Sequence, residues 1–226
     1  GMEHEALAYF IRELSSTDLI LQKFYPGFEN WLPFYWSKFH QRLRYTYTID
    51  LSDSLEFIFG EFRENIRREI RKAEKSMQII ESEEIDDLYA LLLHSKEDVL
   101  DFSKSHLVRI YEAAQQKKQV YLLRALDEHG NTHGMGMFAQ DRNSTYYMLG
   151  ANDPKFKNTG SMSLLMWSAI QKAKSTSAEF NFEGSMIENV ERFFRGFGAR
   201  QKTFFELKKN KSLMLRAMEL LKGQFT

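Results

Sequence analysis

From residue 44 onward the hydrophobic and polar positions switch between a period of two and a period of about 3.6. Tyr45-Thr46-Tyr47-Thr48-Ile49-Asp50-Leu51 is dense in β-branched and aromatic side chains and predicts a strand. Asp53 with Glu56 three positions later has capping-box spacing and opens a long helix toward Lys75. Along it Phe59, Phe62, Ile66, Ile70 and Ala73 share one face, with Arg63, Arg67, Arg71 and Lys75 on a neighbouring stripe. A short strand is expected over Met77–Ile80, then helices over Glu83–His94 and Phe102–Gln116. Three extended runs follow, Val120–Leu126, Thr132–Ala139 and Thr145–Gly150. Turn-rich Asp127–Asn131 and Asp141–Ser144 separate them, which predicts an antiparallel meander.

The helical period then returns, with Met162, Leu165, Met166, Ala169, Ile170 and Ala173 on one face, before a strand at Ala178–Phe182. Ser185 and Glu188 are expected to cap the next helix, with Ile187, Val190, Phe194 and Phe197 inward and Gly198 as its stop. Gln201–Leu207 reads as a strand, and a basic helix ends the chain. One helix between Thr145–Gly150 and Ala178–Phe182 favours parallel pairing. The fold class is therefore α+β, a mixed and mostly antiparallel sheet flanked by helices. Before residue 44 the pattern is aromatic and irregular. Ala6–Leu14 suits a short helix, and Phe28–Trp36 gathers apolar bulk around Pro33, a segment expected to lie across the main domain's surface. The expected division is an appendage at 1–43, read as the remnant of a preceding domain, and one domain over 44–226.

Composition removes whole classes of chemistry. Without cysteine there are no disulfides, thiolate nucleophiles or Cys-ligated metals. Lys+Arg at 31 balances Asp+Glu at 31, so no global field favours polyanions. The tightest apolar run, Tyr89–Leu93, falls far short of the ~18 residues of a membrane span. Gly1-Met2-Glu3-His4 has no signal-peptide character, and Gly ahead of Met reads as an added residue, so the expected location is cytoplasmic. His94, His106, His129 and His133 lack metal-ligand spacing, so no metal is expected. The absence of Gly-x-Ser-x-Gly argues against an elbow-type serine hydrolase.

Four stretches, taken in order, carry a family resemblance: Phe62–Lys75, Ser163–Ile170, Phe180–Ser185 and Glu191–Ala199. Over about Arg44 to Lys209 the chain resembles the GNAT superfamily of acyl-CoA N-acyltransferases. More narrowly, it is similar to the Fem-type branch, which includes aminoacyltransferases of peptidoglycan bridges. Fem enzymes usually carry two such domains, and this chain has room for one. The resemblance implies the GNAT fold and transfer of an acyl group, from acetyl-CoA or another acyl-CoA, to a primary amine on a small molecule or peptide. It implies two parallel strands that splay apart, with the pantetheine arm bonded to the backbone of Met148, Leu149 and Gly150. The phosphates would rest on Lys157, Thr159, Gly160, Ser161 and Met162, where free helix N–H groups favour anions. This loop is poorer in glycine than the family's.

Amine chemistry needs a group that takes a proton. Glu183, just past a strand end beside Gly184, is the expected base, with Asp153 and Asp50 weaker choices. Tyr146 and Tyr147 point to opposite faces, and Tyr147 is taken as the catalytic donor in the cleft. Arg192 and Arg195 are placed near the acceptor. Many members of the family protonate the leaving thiolate with a tyrosine on the last core helix. The matching position here is Phe194, with Ile187 where an asparagine would stand, and both read as core. Arg67, Arg68, Arg71 and Lys72 suit tRNA phosphates, as do Arg200, Lys202, Lys208, Lys209 and Lys211. Pairing of Glu64 with Arg68 and Lys72 by helical spacing makes a solvated face the favoured reading, so tRNA is not the favoured partner. The alternatives are an aminoacyl-tRNA-dependent transferase acting on a peptidoglycan precursor and a non-catalytic GNAT-like binding domain.

Overall fold

The computed structural model describes residues 2–95 and 102–212. In chain order the elements are α1 (Met2–Glu13), β1 (Leu19–Lys23), α2 (Leu32–Trp36), β2 (His40–Asp50), α3 (Leu55–Glu61), α4 (Glu64–Ala73), β3 (Met77–Ser82) and α5 (Ile85–Ser95). There follow α6 (Lys104–Gln115), β4 (Val120–Asp127), β5 (Thr132–Gln140), β6 (Ser144–Asn152), α7 (Ser161–Ala173), β7 (Glu179–Asn181), α8 (Glu188–Arg195) and β8 (Arg200–Asn210). The basic terminal helix expected from the sequence lies outside the described residues. Two compact units result: one from Tyr47 to Gln201, the other of residues up to Thr46 with those from Lys202 on. The division passes through β2 and β8, and the second unit takes most of β8 as well as the N-terminal segment.

In the larger unit the strand order is β2-β7-β6-β5-β4-β3. All neighbours are antiparallel except β6 and β7, the pair joined through α7. Both faces of the sheet are covered. Tyr121, Leu123, Ala125 and Phe138 pack into a core with α4, α7 and α8, while Leu122, Met135, Met137 and Ala151 pack with α5 and α6. That two-sided burial explains why β4 reads as a near-continuous apolar run. Leu165, Ala169, Ile170 and Phe180 have no exposed surface.

Three local expectations are corrected. The single helix toward Lys75 is two, because Phe62 and Arg63 are extended between α3 and α4. The Arg63 N–H donates to the Gly196 carbonyl at 2.8 Å, and the buried Phe62 ring meets Trp167 and Phe197 at 5.3 and 5.0 Å. The cap of α3 is Ser54 rather than Asp53, its hydroxyl accepting from the Phe57 N–H at 3.2 Å. Ile187 is not core: α8 begins after it, no side chain caps that helix, and Ile187 is 65% exposed. Ser185 instead accepts from the Ile187 N–H, closing a turn ahead of α8.

The smaller unit pairs β1 antiparallel with β8. Its core is Ile20, Phe34, Phe39 and Leu207, with Phe34 ringed by Phe24 and Phe39 at 5.3 and 5.2 Å. The buried Glu206 carboxylate accepts two 3.1 Å bonds from Arg44.

Candidate active site

The site begins with a strand that loses a neighbour. β6 and β7 are in register from Ser144↔Glu179 to Tyr146↔Asn181, and there the pairing stops. The next residue on the β7 side, Phe182, donates its N–H to the Tyr47 carbonyl of β2, and the chain then turns through Glu183 and Gly184 at φ of 60° and 73°. From Tyr147 on, β6 keeps only β5 as a strand partner among the described residues, so its other edge can present backbone groups to a ligand. A bulge falls at the same place: Phe138 faces Tyr147 and Met137 faces Leu149, leaving Met148 as the extra residue. A bulge re-aims the side chains around it.

Beside this free edge lies a cavity of about 550 Å³. Tyr147, Gly150, Ala151 and Asn152 of β6 form one wall, and Asn189, Val190, Phe193 and Phe194 of α8 another. Pro154, Lys157 and Met162 close one end, and His94 and Ser95, the last residues of α5, reach it as well. Tyr147 lies between Phe138 and the edge-on Phe194 ring at 5.7 and 6.0 Å, and its hydroxyl has no hydrogen-bond partner among the described residues. Burial pushes its pKa up from the ordinary tyrosine value, so the hydroxyl is held protonated as a donor. Gly150 makes room for it: a Cβ there would run into the Tyr147 hydroxyl, the Met135 carbonyl and the Met162 methyl.

The loop from Asp153 to Gly160 is tied down on both sides. The Asp153 N–H donates to the His133 carbonyl at 3.0 Å, and the Thr159 hydroxyl donates to the Phe156 carbonyl at 3.0 Å. His133 stacks on Phe156 at 4.0 Å, with Nδ1 3.3 Å from the Thr159 hydroxyl and Nε2 3.1 Å from Asp127. Asn131, above all, with His133 and the His129 N–H, holds the Asp127 carboxyl well below the usual carboxylate range. The Ser161 hydroxyl donates to Asn152 at 2.8 Å, fastening the start of α7 to β6. Gly160 caps α7 at φ 81°, and a Cβ there would stand 2.7 Å from the Glu69 carbonyl oxygen of α4. No side chain caps α7, leaving its first N–H groups for another acceptor.

Of the residues expected to hold a donor, Gly150, Lys157 and Met162 line the cavity with Tyr147. Thr159, Gly160 and Ser161 build the loop behind that lining, Leu149 packs against the α5–α6 core, and Met148 is exposed. Glu183 is exposed and off the cavity wall, its own N–H bonded to Asn181 Oδ1 at 2.7 Å, and its charge acts on Tyr146. Arg192 and Arg195 are also off the wall, paired along α8 with Glu188 and Glu191 at 2.9 and 2.8 Å. Asp50 and Asp153 accept from the N–H groups of Ser52 and Lys155. Sequence reasoning missed His94, Ser95, Asn152 and Asn189. His94 closes the apolar run of α5 and Asn189 precedes the inward Val190 of α8, and nothing in the local pattern singles either out.

On α4 the expected pairing is corrected: Glu64 holds Arg67 at 2.7 Å and Arg71 at 4.0 Å rather than Arg68 and Lys72. From the first residue of the helix, Glu64 reaches those two guanidinium groups along its own stripe. Arg68, Arg71, Lys72, Lys75 and Glu64 border a separate depression of about 240 Å³. Among the described residues no helix is long and apolar enough to cross a membrane.

The fold is shared with solved structures at low identity. FemX superposes with TM-score 0.63 at 14% identity, over 93% of this chain and 70% of its own. L-PGS from Bacillus licheniformis gives 0.57 at 13%, over 84% of this chain and 68% of its own. A tandem GNAT protein from the clavulanic acid biosynthesis pathway gives 0.57 at 10%, over 90% and 68%. No curated protein matches the sequence. Residues 60–195, more than half of the chain and the segment that carries both walls of the cavity, match the family described as Acetyltransferase (GNAT) domain. The chain belongs to the GNAT acetyltransferase family.

Proposed function

We propose that this protein transfers an acyl group from acyl-CoA to a primary amine, with the donor laid along the free half of β6. The observation that carries the reading is the coincidence, at Tyr147, of the end of β6–β7 pairing, the bulge and the mouth of the cavity. An acyl thioester bound there brings an activated carbonyl and a thiolate leaving group. The residues present suit it: the edge of β6 away from β5, from Met148 to Gly150, for an extended amide arm, and Lys157 with the uncapped start of α7 for phosphates.

Tyr147 then replaces the tyrosine missing at Phe194. Its protonated hydroxyl, packed against that phenylalanine, donates to the departing sulfur. Val190, Phe193 and Phe194 give the acceptor an apolar wall, which suits an amine carried on an apolar body. Catalysis here rests mainly on positioning. Removing the ammonium proton still needs a base, and Glu183 does not stand on the cavity wall.

A second reading, aminoacyl-tRNA as donor, draws support from the basic depression on α4. Isothermal titration with CoA and acetyl-CoA separates the two. Binding at about 1–100 μM is expected, the range of a working substrate site. No heat at millimolar CoA overturns the acyl-CoA reading, and RNA binding that weakens with salt in the same protein favours the second.

A further inference from the structure

We propose that His94 is the base that takes the proton from the acceptor amine, an assignment that rests on the acyl-transfer reading above. The cavity is bordered by three side chains that titrate: Tyr147, Lys157 and His94, with no carboxylate among the described residues of its wall. Tyr147 is held protonated by burial. A lysine is ordinarily a cation at neutral pH and has no lone pair to offer. An imidazole is the one side chain of the three suited to accept a proton near neutrality.

The geometry also selects the accepting atom. His94 Nδ1 lies 2.7 Å from the carbonyl oxygen of Ala90, one turn earlier in α5. A carbonyl only accepts, so Nδ1 carries the hydrogen and the neutral ring keeps its lone pair on Nε2. Nε2 has no hydrogen-bond partner among the described residues. The ring is exposed at the cavity margin, so an incoming ammonium group reaches it without displacing core. Glu183, by contrast, is not on the cavity wall, and its charge acts on Tyr146, whose hydroxyl bonds to Asp141 at 3.0 Å.

The proton balance closes with these groups. Nε2 takes one proton from the ammonium, and the freed nitrogen pair bonds to the acyl carbon as the C–S bond breaks. Tyr147 gives a proton to the sulfur. The second proton, lost from nitrogen as the amide forms, restores Tyr147 through water, and the imidazolium releases its proton to solvent.

Two measurements on the full chain test the assignment. Nitrogen-15 histidine spectra without any ligand are expected to show His94 with Nδ1 protonated and Nε2 bare. Transfer from acetyl-CoA is then followed to an alkylamine, an amino-acid amide and a lysine peptide. His94→Gln is expected to lower the rate about 10²–10⁴-fold while CoA affinity stays within about threefold, and Glu183→Gln to leave the rate within about threefold. A hydrogen on Nε2, an unchanged rate in His94→Gln, or CoA binding without transfer to any of these amines overturns the base role. A wild-type protein that binds no CoA overturns instead the acyl-CoA reading on which the role rests, while the tautomer is read independently of it.

Discussion

At Thr145 and Tyr146, β6 has a strand on each side; from Tyr147 to Asn152 it has β5 alone among the described residues. Tyr146 and Tyr147, the last residue of one half and the first of the other, are the same strand former, so intrinsic preference does not set the boundary. What separates them is the departure of β7's chain toward β2, made at the Phe182 N–H and completed by two successive left-handed residues, Glu183 and Gly184. The lesson is that an edge able to bind a ligand is created here by the neighbour that leaves.

The largest expected effect breaks the closed half. Phe180 has no exposed surface and pairs with Thr145, so Phe180→Ala is expected to cost about 3–5 kcal/mol of stability, read from denaturant midpoints at unchanged slope. A smaller effect sharpens the open half. Tyr147→Phe keeps the ring against Phe194 and removes only the hydroxyl, so acetyl-CoA affinity and stability should hold while kcat falls about 10–100-fold. An equal loss in affinity would show instead that the hydroxyl positions the donor. The smallest concerns the loop that continues the open half. Because the folded Asp127 carboxyl lies below its ordinary value, its contribution is full above the unfolded pKa of about 4 and is lost as pH falls below that. The stability gap between wild type and Asp127→Asn should therefore be present at pH 7 and narrow progressively below about pH 4.

The β4–β5–β6 meander and the α7 crossover were legible because they follow from period and turn chemistry, which are local. The break at Phe62–Arg63 was not, since helical spacing runs unbroken from Phe59 to Ala73 and the cause is a hydrogen bond to Gly196, far along the chain. Nor was Ile187, whose apolar side chain matched the inward stripe although the helix starts after it. At the site, Tyr147, Gly150, Lys157 and Met162 could be placed because they belong to one strand–loop–helix passage. His94 and Asn189 could not, because their approach to β6 depends on how α5 and α8 pack.

Gly160 joins two properties that are usually altered separately. Its left-handed conformation starts α7, and its missing side chain lets that helix touch α4 at the Glu69 carbonyl. Gly160→Arg, the obvious change for obstructing a phosphate, would first collide with backbone 2.7 Å away and push two core helices apart. At this position lost binding and lost folding would be a single phenotype, and under the acyl-CoA proposal any lineage of the protein that retunes its donor would do so from Lys157 or from the open edge of β6.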